Sequence, residues 1–257
     1  MESETIVQIW TTENGVIGNR RLTPSEEIEV EMRIAIVACE ALKEEIEWIV
    51  AGDPDFVQRE YLDFGLHLYP DELKHEILNR LGALEGKVDA VFLGFAHCQA
   101  LKGLPKAVSV PTVMLETEDC LAAFLGEDVY SKEKHNGGIT WFYPTGWARR
   151  GPDGIVKLFH LDSARDQGYE PEYFLKIMFT GFKRCMYIDT GVAQDGCRET
   201  TQALAQQLKL QYVEKQGTLN AIREAVLLTK VVAAGTPSQL TEDEANEVDA
   251  RSSCLGS

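Results

Sequence analysis

A strand that runs straight into a helix, several times over, leaves this chain few folds to choose from. Ile34-Ala35-Ile36-Val37-Ala38 is a short apolar run rich in β-branched residues, the pattern of a strand buried on both faces of a sheet. It passes through Cys39 directly into Glu40–Ile49, where Leu42, Ile46 and Ile49 recur at helical spacing. A second cycle follows, with a strand over Tyr61 to Leu66 ending at Gly65-Leu66-His67. Its helix runs from Asp71 to Leu81, opened by Pro70 and stopped by Gly82. Val88 to Phe95 (VDAVFLGF) is the cleanest buried strand and ends at Ala96-His97-Cys98. Val108 to Leu115 is the next, and Glu118-Asp119-Cys120 then opens a helix that ends at Leu125, before Gly126.

The cycle resumes later. Tyr173 to Phe179 is helical, Cys185 to Thr190 a strand, and Cys197 to Leu208 a helix; Leu210 to Glu214 and Leu219 to Leu228 are a last strand and helix. Alternation at this spacing predicts an α/β fold with a mostly parallel, Rossmann-like sheet. His135 to Arg150 (HNGGITWFYPTGWARR) interrupts it with paired glycines and four aromatic residues, a loop or strand packed over something. The stretches on either side of it form two similar halves, or one sheet carrying an insertion. The α/β domain is expected over 33–235. Residues 1–32 form an N-terminal extension with a possible hairpin, a strand over Ile6 to Trp10 leading into a turn at 11–15. Residues 236–257, polar with five Asp/Glu against one Arg, form a tail expected to be disordered.

Composition removes several classes of function. Among 257 residues, Lys and Arg number 25 and Asp and Glu 41, a formal charge of −16 that a phosphate backbone would repel. No run reaches the length of a membrane helix, and the first residues, MESETIVQIW, lack a signal-peptide pattern. The expectation is a cytoplasmic protein that meets neither nucleic acid nor membrane, with six reduced or metal-bound cysteines.

Three of those cysteines share one setting. Cys39, Cys98 and Cys120 lie 59 and 22 positions apart, each at or just beyond a predicted strand end, and Cys39 and Cys120 also sit at helix N-termini. In a parallel sheet such ends fall on one edge, where ligands bind near a topological switch point. A helix N-terminus also favours the thiolate, the form that ligates metals or attacks electrophiles. Against this, a buried cysteine often packs as a small hydrophobe. Three thiolates from separate strand ends suit a [4Fe–4S] cluster with one open iron, or a zinc completed by water or histidine. His67 and His97 are the candidate fourth ligands, or a general acid or base.

Other signals are weaker. Asp189 and Thr190 end a strand on the same expected edge; with Trp147 from the aromatic segment they are the candidate cofactor contacts, although a turn or capping role also suits the first two. Trp141, Phe142, Tyr143 and Trp147 form either a lid or a small aromatic core. Asp119 is the expected cap of the helix at Cys120. Cys185 and Cys197 are expected to pack. G-x-G-x-x-G, P-loop, H-E-x-x-H and G-x-S-x-G patterns are absent, against the common nucleotide, zinc-protease and hydrolase readings.

Several pieces in order resemble the DUF1638 family. They are Ala38-Cys39-Glu40-Ala41-Leu42, Gly65-Leu66-His67 with Pro70, Leu93-Gly94-Phe95-Ala96-His97-Cys98, and Glu118-Asp119-Cys120-Leu121, followed by Gly137-Gly138-Ile139-Thr140-Trp141-Phe142 and Thr145-Gly146-Trp147. The resemblance spans about residues 33 to 230. It implies that Cys39, Cys98 and Cys120 are the family's cysteine set, and it points to corrinoid-dependent methyl transfer. The layout is also similar, at the level of fold, to quinolinate synthase, where cysteines from separate units hold one [4Fe–4S] cluster. The function expected is metal-dependent lyase or sulfur-transfer chemistry on a small-molecule substrate at a cluster held by the three cysteines. The alternative is a non-enzymatic accessory protein that handles corrinoid or metal for a corrinoid methyltransferase system.

Overall fold

The computed structural model describes residues 7–11, 17–21, 32–96, 101, 104, 108–136, 138–192 and 196–235. Residues 1–31 and 32–257 are two compact units. In the first, β1 (Val7–Thr11) and β2 (Ile17–Arg21) pair antiparallel with Val7 opposite Arg21.

The second unit carries two parallel sheets. The first contains β3 (Ile34–Cys39), β4 (Phe56–Leu62), β5 (Ala90–Ala96) and β6 (Thr112–Leu115), in the order β4-β3-β5-β6. The chain steps outward from β3 to β4, crosses back to β5 and leaves on the other side. The switch point therefore lies between the carboxyl ends of β3 and β5, the place where open α/β sheets leave a crevice. β3 and β5 are buried at every residue, as their unbroken apolar runs require. In their pairing Ala38 sits opposite Gly94. A Cβ on Gly94 would lie 2.5 Å from the Ala38 Cβ and 3.1 Å from Ile46 Cδ1. Glycine is thus what lets α1 (Lys43–Ile49) settle on the sheet.

The second sheet has the order β7-β8-β9, from β7 (Thr140–Pro144), β8 (Arg184–Asp189) and β9 (Gln211–Gln216). Two sheets, not one with an insertion, resolve the choice that the sequence left open. Arg184 of β8 reaches back to α4 (Glu127–His135): its Nη1 donates to Glu133 Oε2 at 2.8 Å, and Lys215 Nζ lies 2.8 Å from Oε1. After β9 the chain returns as α9 (Asn220–Gly235), which packs on β5 and β6 and buries Ile222, Ala225 and Val226 in the first core.

Several expectations shift. The strand expected at Tyr61 to Leu66 lies earlier, at Phe56–Leu62. Gly65, Leu66 and His67 belong instead to a 3-10 helix, Phe64–Leu68, capped by Asp63, whose Oδ1 accepts from the Gly65 amide at 2.6 Å. β4 is an edge strand with exposed Val57, Gln58 and Arg59, so it lacks the apolar run that marks the central strands. Gly82 does not stop its helix: α2 (Pro70–Leu84) continues through it to bury Leu84. The aromatic segment contains β7 and a short helix, α5 (Thr145–Ala148), while α4 and α6 (Gly151–Leu158) were not anticipated. α8 (Cys197–Leu208) has the expected limits, and the strand at Arg184–Asp189 lies within one residue of them. The acidic tail, 236–257, lies outside the described residues. Among those residues no helix is long and apolar enough to cross a membrane.

Candidate functional site

The crevice at the switch point is a cavity of about 530 Å³. β3 delivers Cys39 at its last residue, and the 3-10 helix after β4 delivers His67. The two meet, with Cys39 Sγ 3.4 Å from His67 Nε2. The imidazole is held by aromatic neighbours: it stacks on Phe64 at 4.8 Å between centroids and lies 6.1 Å from Phe95, at the end of β5. Both partners are shielded from water. Burial pushes the Cys39 thiol well up, and the neighbouring Cys120, Glu40 and Asp63 push it further, against a smaller opposing effect of the Ala41 amide. Burial lowers His67 below its ordinary value, so the pair rests as a neutral thiol and a neutral imidazole.

Cys120 arrives from the other side. It is the first residue of α3 (Cys120–Leu125), and it is partly exposed in the cavity wall. Asp119 caps that helix as expected, its Oδ1 accepting from the Leu121 and Ala122 amides at 2.9 and 3.0 Å. Its other oxygen accepts from the buried Tyr130 hydroxyl. Cys39 thus lies beside His67 and near Cys120 at this end of the sheet. Cys98 and His97, which follow the last residue of β5, lie outside the described residues. Among the described residues, no three His, Cys, Asp or Glu side chains are grouped closely enough to hold a metal ion.

The opposite wall comes from the second sheet. Trp141, Phe142 and Pro144 of β7 and Trp147 of α5 face the cavity with Phe64 and Phe95. Phe64 meets Trp147 edge-on at 4.0 Å, and Trp147 is tilted by 58° against Trp141 at 5.2 Å. The aromatic segment is thus the cavity wall, except for Tyr143, which is fully buried in the second core with Cys185 and Cys197. Trp141 Nε1 is buried without a hydrogen-bond partner.

Asp189 and Thr190 do not reach this cavity. The Asp189 carboxylate accepts from the Gly191 amide at 2.9 Å and pairs with Arg198 at 3.3 Å, the turn role that the sequence also allowed. Thr190 is buried, and its hydroxyl donates to Glu45 Oε1 at 2.8 Å. Thr190 also borders a separate pocket of about 360 Å³ with Gly217, Thr218 and Arg223.

Glu45 is the residue that the sequence reading missed. It is 0% exposed, with Oε2 lacking a hydrogen-bond partner, and burial raises its carboxyl to about 7 against the pull of the Thr190 hydroxyl and its own backbone amide. The signal was present: Glu45 lies three residues after Leu42 and four before Ile49, on the apolar face of its own helix. Nearby, the backbone of Gly146 in α5 sits against the Ala41 carbonyl, so close that a Cβ there would be 2.9 Å from the oxygen.

The DUF1638 family, described as proteins of unknown function, matches residues 61–226. No curated protein and no solved structure matches the chain.

Proposed function

We propose that this chain, which belongs to the DUF1638 family, holds a metal ion at the Cys39–His67 pair and presents it to a small molecule in the adjoining cavity. The 3.4 Å contact between sulfur and imidazole nitrogen carries the reading. A tetrahedral ion with bonds of about 2.3 Å to sulfur and 2.0 Å to nitrogen places those two atoms roughly 3.5 Å apart. In a [4Fe–4S] cluster each protein ligand binds its own iron, so ligands stand at separate corners. The close contact suits two donors on one ion, and zinc is favoured over the cluster. Cys120 and Cys98 are the candidates for the remaining positions.

Electrostatics support a cation here. The thiol is costly to ionise because it is buried among Cys120, Glu40 and Asp63, and a bound cation reverses that cost by stabilising the thiolate. His67 is already in the neutral form that ligates. The same burial argues against a metal-free nucleophile, which needs a lowered thiol. Bound there, the ion would supply Lewis acidity toward a carbonyl or hydroxyl oxygen, the basis for lyase or transferase chemistry. The aromatic walls give the cavity a largely apolar lining. A cavity of about 530 Å³ has the size of a small-molecule site. A corrinoid, with its macrocycle and appended nucleotide, would have to sit largely outside it.

The test is elemental analysis with sulfide determination on protein purified without oxygen, alongside Cys39→Ser, His67→Ala and Cys120→Ser variants checked for folding by circular dichroism. About one equivalent of a zinc-like ion, lost when Cys39 and His67 are both replaced, is expected for a mononuclear site. Iron and sulfide in near-equal amounts would replace the single ion with the cluster. A metal-free wild type would overturn both.

A further inference from the structure

The cavity walls also specify what kind of molecule enters, an inference that rests on the cavity being a ligand site. Phe64, Trp147 and Trp141 meet at steep angles, 84° for the first pair and 58° for the second, so their ring planes form inclined walls and not a parallel stack. Phe142 and Phe95 extend the aromatic lining, and one carboxylate, Asp119, stands in it. No lysine or arginine is among the described lining residues. Among these lining side chains the fixed charge is the Asp119 carboxylate, which favours a cationic over an anionic ligand at its end of the cavity. The faces of aromatic rings carry negative potential, and inclined rings about one volume are how proteins hold quaternary ammonium groups. The formal charge of −16 adds a field that draws cations toward the molecule.

We propose that the cavity binds an organic cation of the methylated-ammonium class, its alkyl surface against Phe64, Trp141 and Trp147 and its charge facing the Asp119 carboxylate. The Asp119 bonds to Tyr130 and to two helix amides fix that carboxylate in place, so it acts as a standing charge and not as a mobile partner.

An isosteric pair isolates the charge. Choline and 3,3-dimethylbutan-1-ol differ only in a quaternary nitrogen replaced by carbon, and 3,3-dimethylbutanoate supplies an anion of similar shape. Binding of each to the metal-containing protein is measured by calorimetry or by quenching of tryptophan emission. Choline is expected to bind about 3- to 30-fold more tightly than the neutral alcohol, the range of cation–π contributions, with the anion weakest. Trp141→Leu should bring that ratio toward one while neutral binding persists. Equal or tighter binding of the alcohol overturns the cation and leaves the cavity as a site for neutral molecules. No binding by any of the three up to millimolar concentration overturns the cation together with the ligand-site reading. Elemental analysis of the same samples keeps the metal question separate.

Discussion

Replacing Glu45 by glutamine should make the protein more stable at alkaline pH and leave it nearly unchanged at acid pH. The carboxyl is 0% exposed, and its value rises from 4.5 to about 7, first through burial. Glu44 on the same helix adds to the rise, while Thr190 from the end of β8 and the Glu45 backbone amide oppose it. The other charges near this junction are committed elsewhere, Asp189 to Arg198 and Arg149 to Glu44. Because the folded chain holds this proton more tightly than the unfolded chain, stability is complete below about pH 4.5 and declines as pH rises toward 7. A shift of that size corresponds to about 3 kcal/mol at 1.36 kcal/mol per pH unit. Glutamine keeps an oxygen for the Thr190 hydroxyl, without a charge to desolvate. Thermal melts of wild type and Glu45→Gln should nearly coincide at about pH 4, below the unfolded value. At pH 8 the variant should melt roughly 6–12 °C higher, since 1 kcal/mol moves Tm by about 2–4 °C at this size. The difference between the two proteins cancels every other titration. A difference that stays constant from about pH 4 to 8 would show that Glu45 is not held protonated, and the argument from burial would fail.

Two further outcomes follow from the junction between the sheets. Arg184→Met removes one of the two cations paired with the buried Glu133 carboxylate, which those partners hold below its usual value, and should cost about 3–5 kcal/mol in urea unfolding; a loss under 1 kcal/mol would mean that Lys215 alone satisfies it. Gly146→Ala pushes a methyl group into the Ala41 backbone, where a Cβ would lie 2.9 Å from the carbonyl oxygen, and should cost about 1–3 kcal/mol with an unchanged denaturant slope. Ala41 and Trp147 both line the cavity, so the same variant should also weaken binding of any cavity ligand. Unaltered stability would show that the two backbones can separate freely.

What the sequence disclosed and what it hid follow one physical line. Central strands are wrapped on both faces, so Ile34–Cys39 and Ala90–Ala96 show as unbroken apolar runs, and their carboxyl ends point to the crevice before any coordinates are known. The edge strand Phe56–Leu62 and the half-polar helix Glu127–His135 mix exposed and buried positions, and their signals dissolve into the surrounding loops. The strand ends placed Cys39 and Cys120 toward the crevice, whereas His67 reaches Cys39 from a 3-10 helix that the sequence pattern had hidden. The departure of Thr190 from the crevice was hidden too, because Thr190 belongs to the second sheet and is claimed by Glu45, a partner 145 positions away. Long-range partners of this kind leave almost no local trace.

The limits of the family match sharpen the role of the first strand. The matched segment begins at residue 61, inside β4, and leaves out β3 with Cys39 and Glu45. Yet β3 lies between β4 and β5, paired with both, and its six residues are buried throughout. Without it, β4 and β5 would have no common neighbour and the switch point would not exist. A strand in this position is therefore a structural requirement of the first sheet, although the family match does not extend to it. Its last residue, Cys39, arrives beside His67. The proposed chemistry depends on that arrival, which makes Cys39, at the end of β3, the first side chain to replace in testing it.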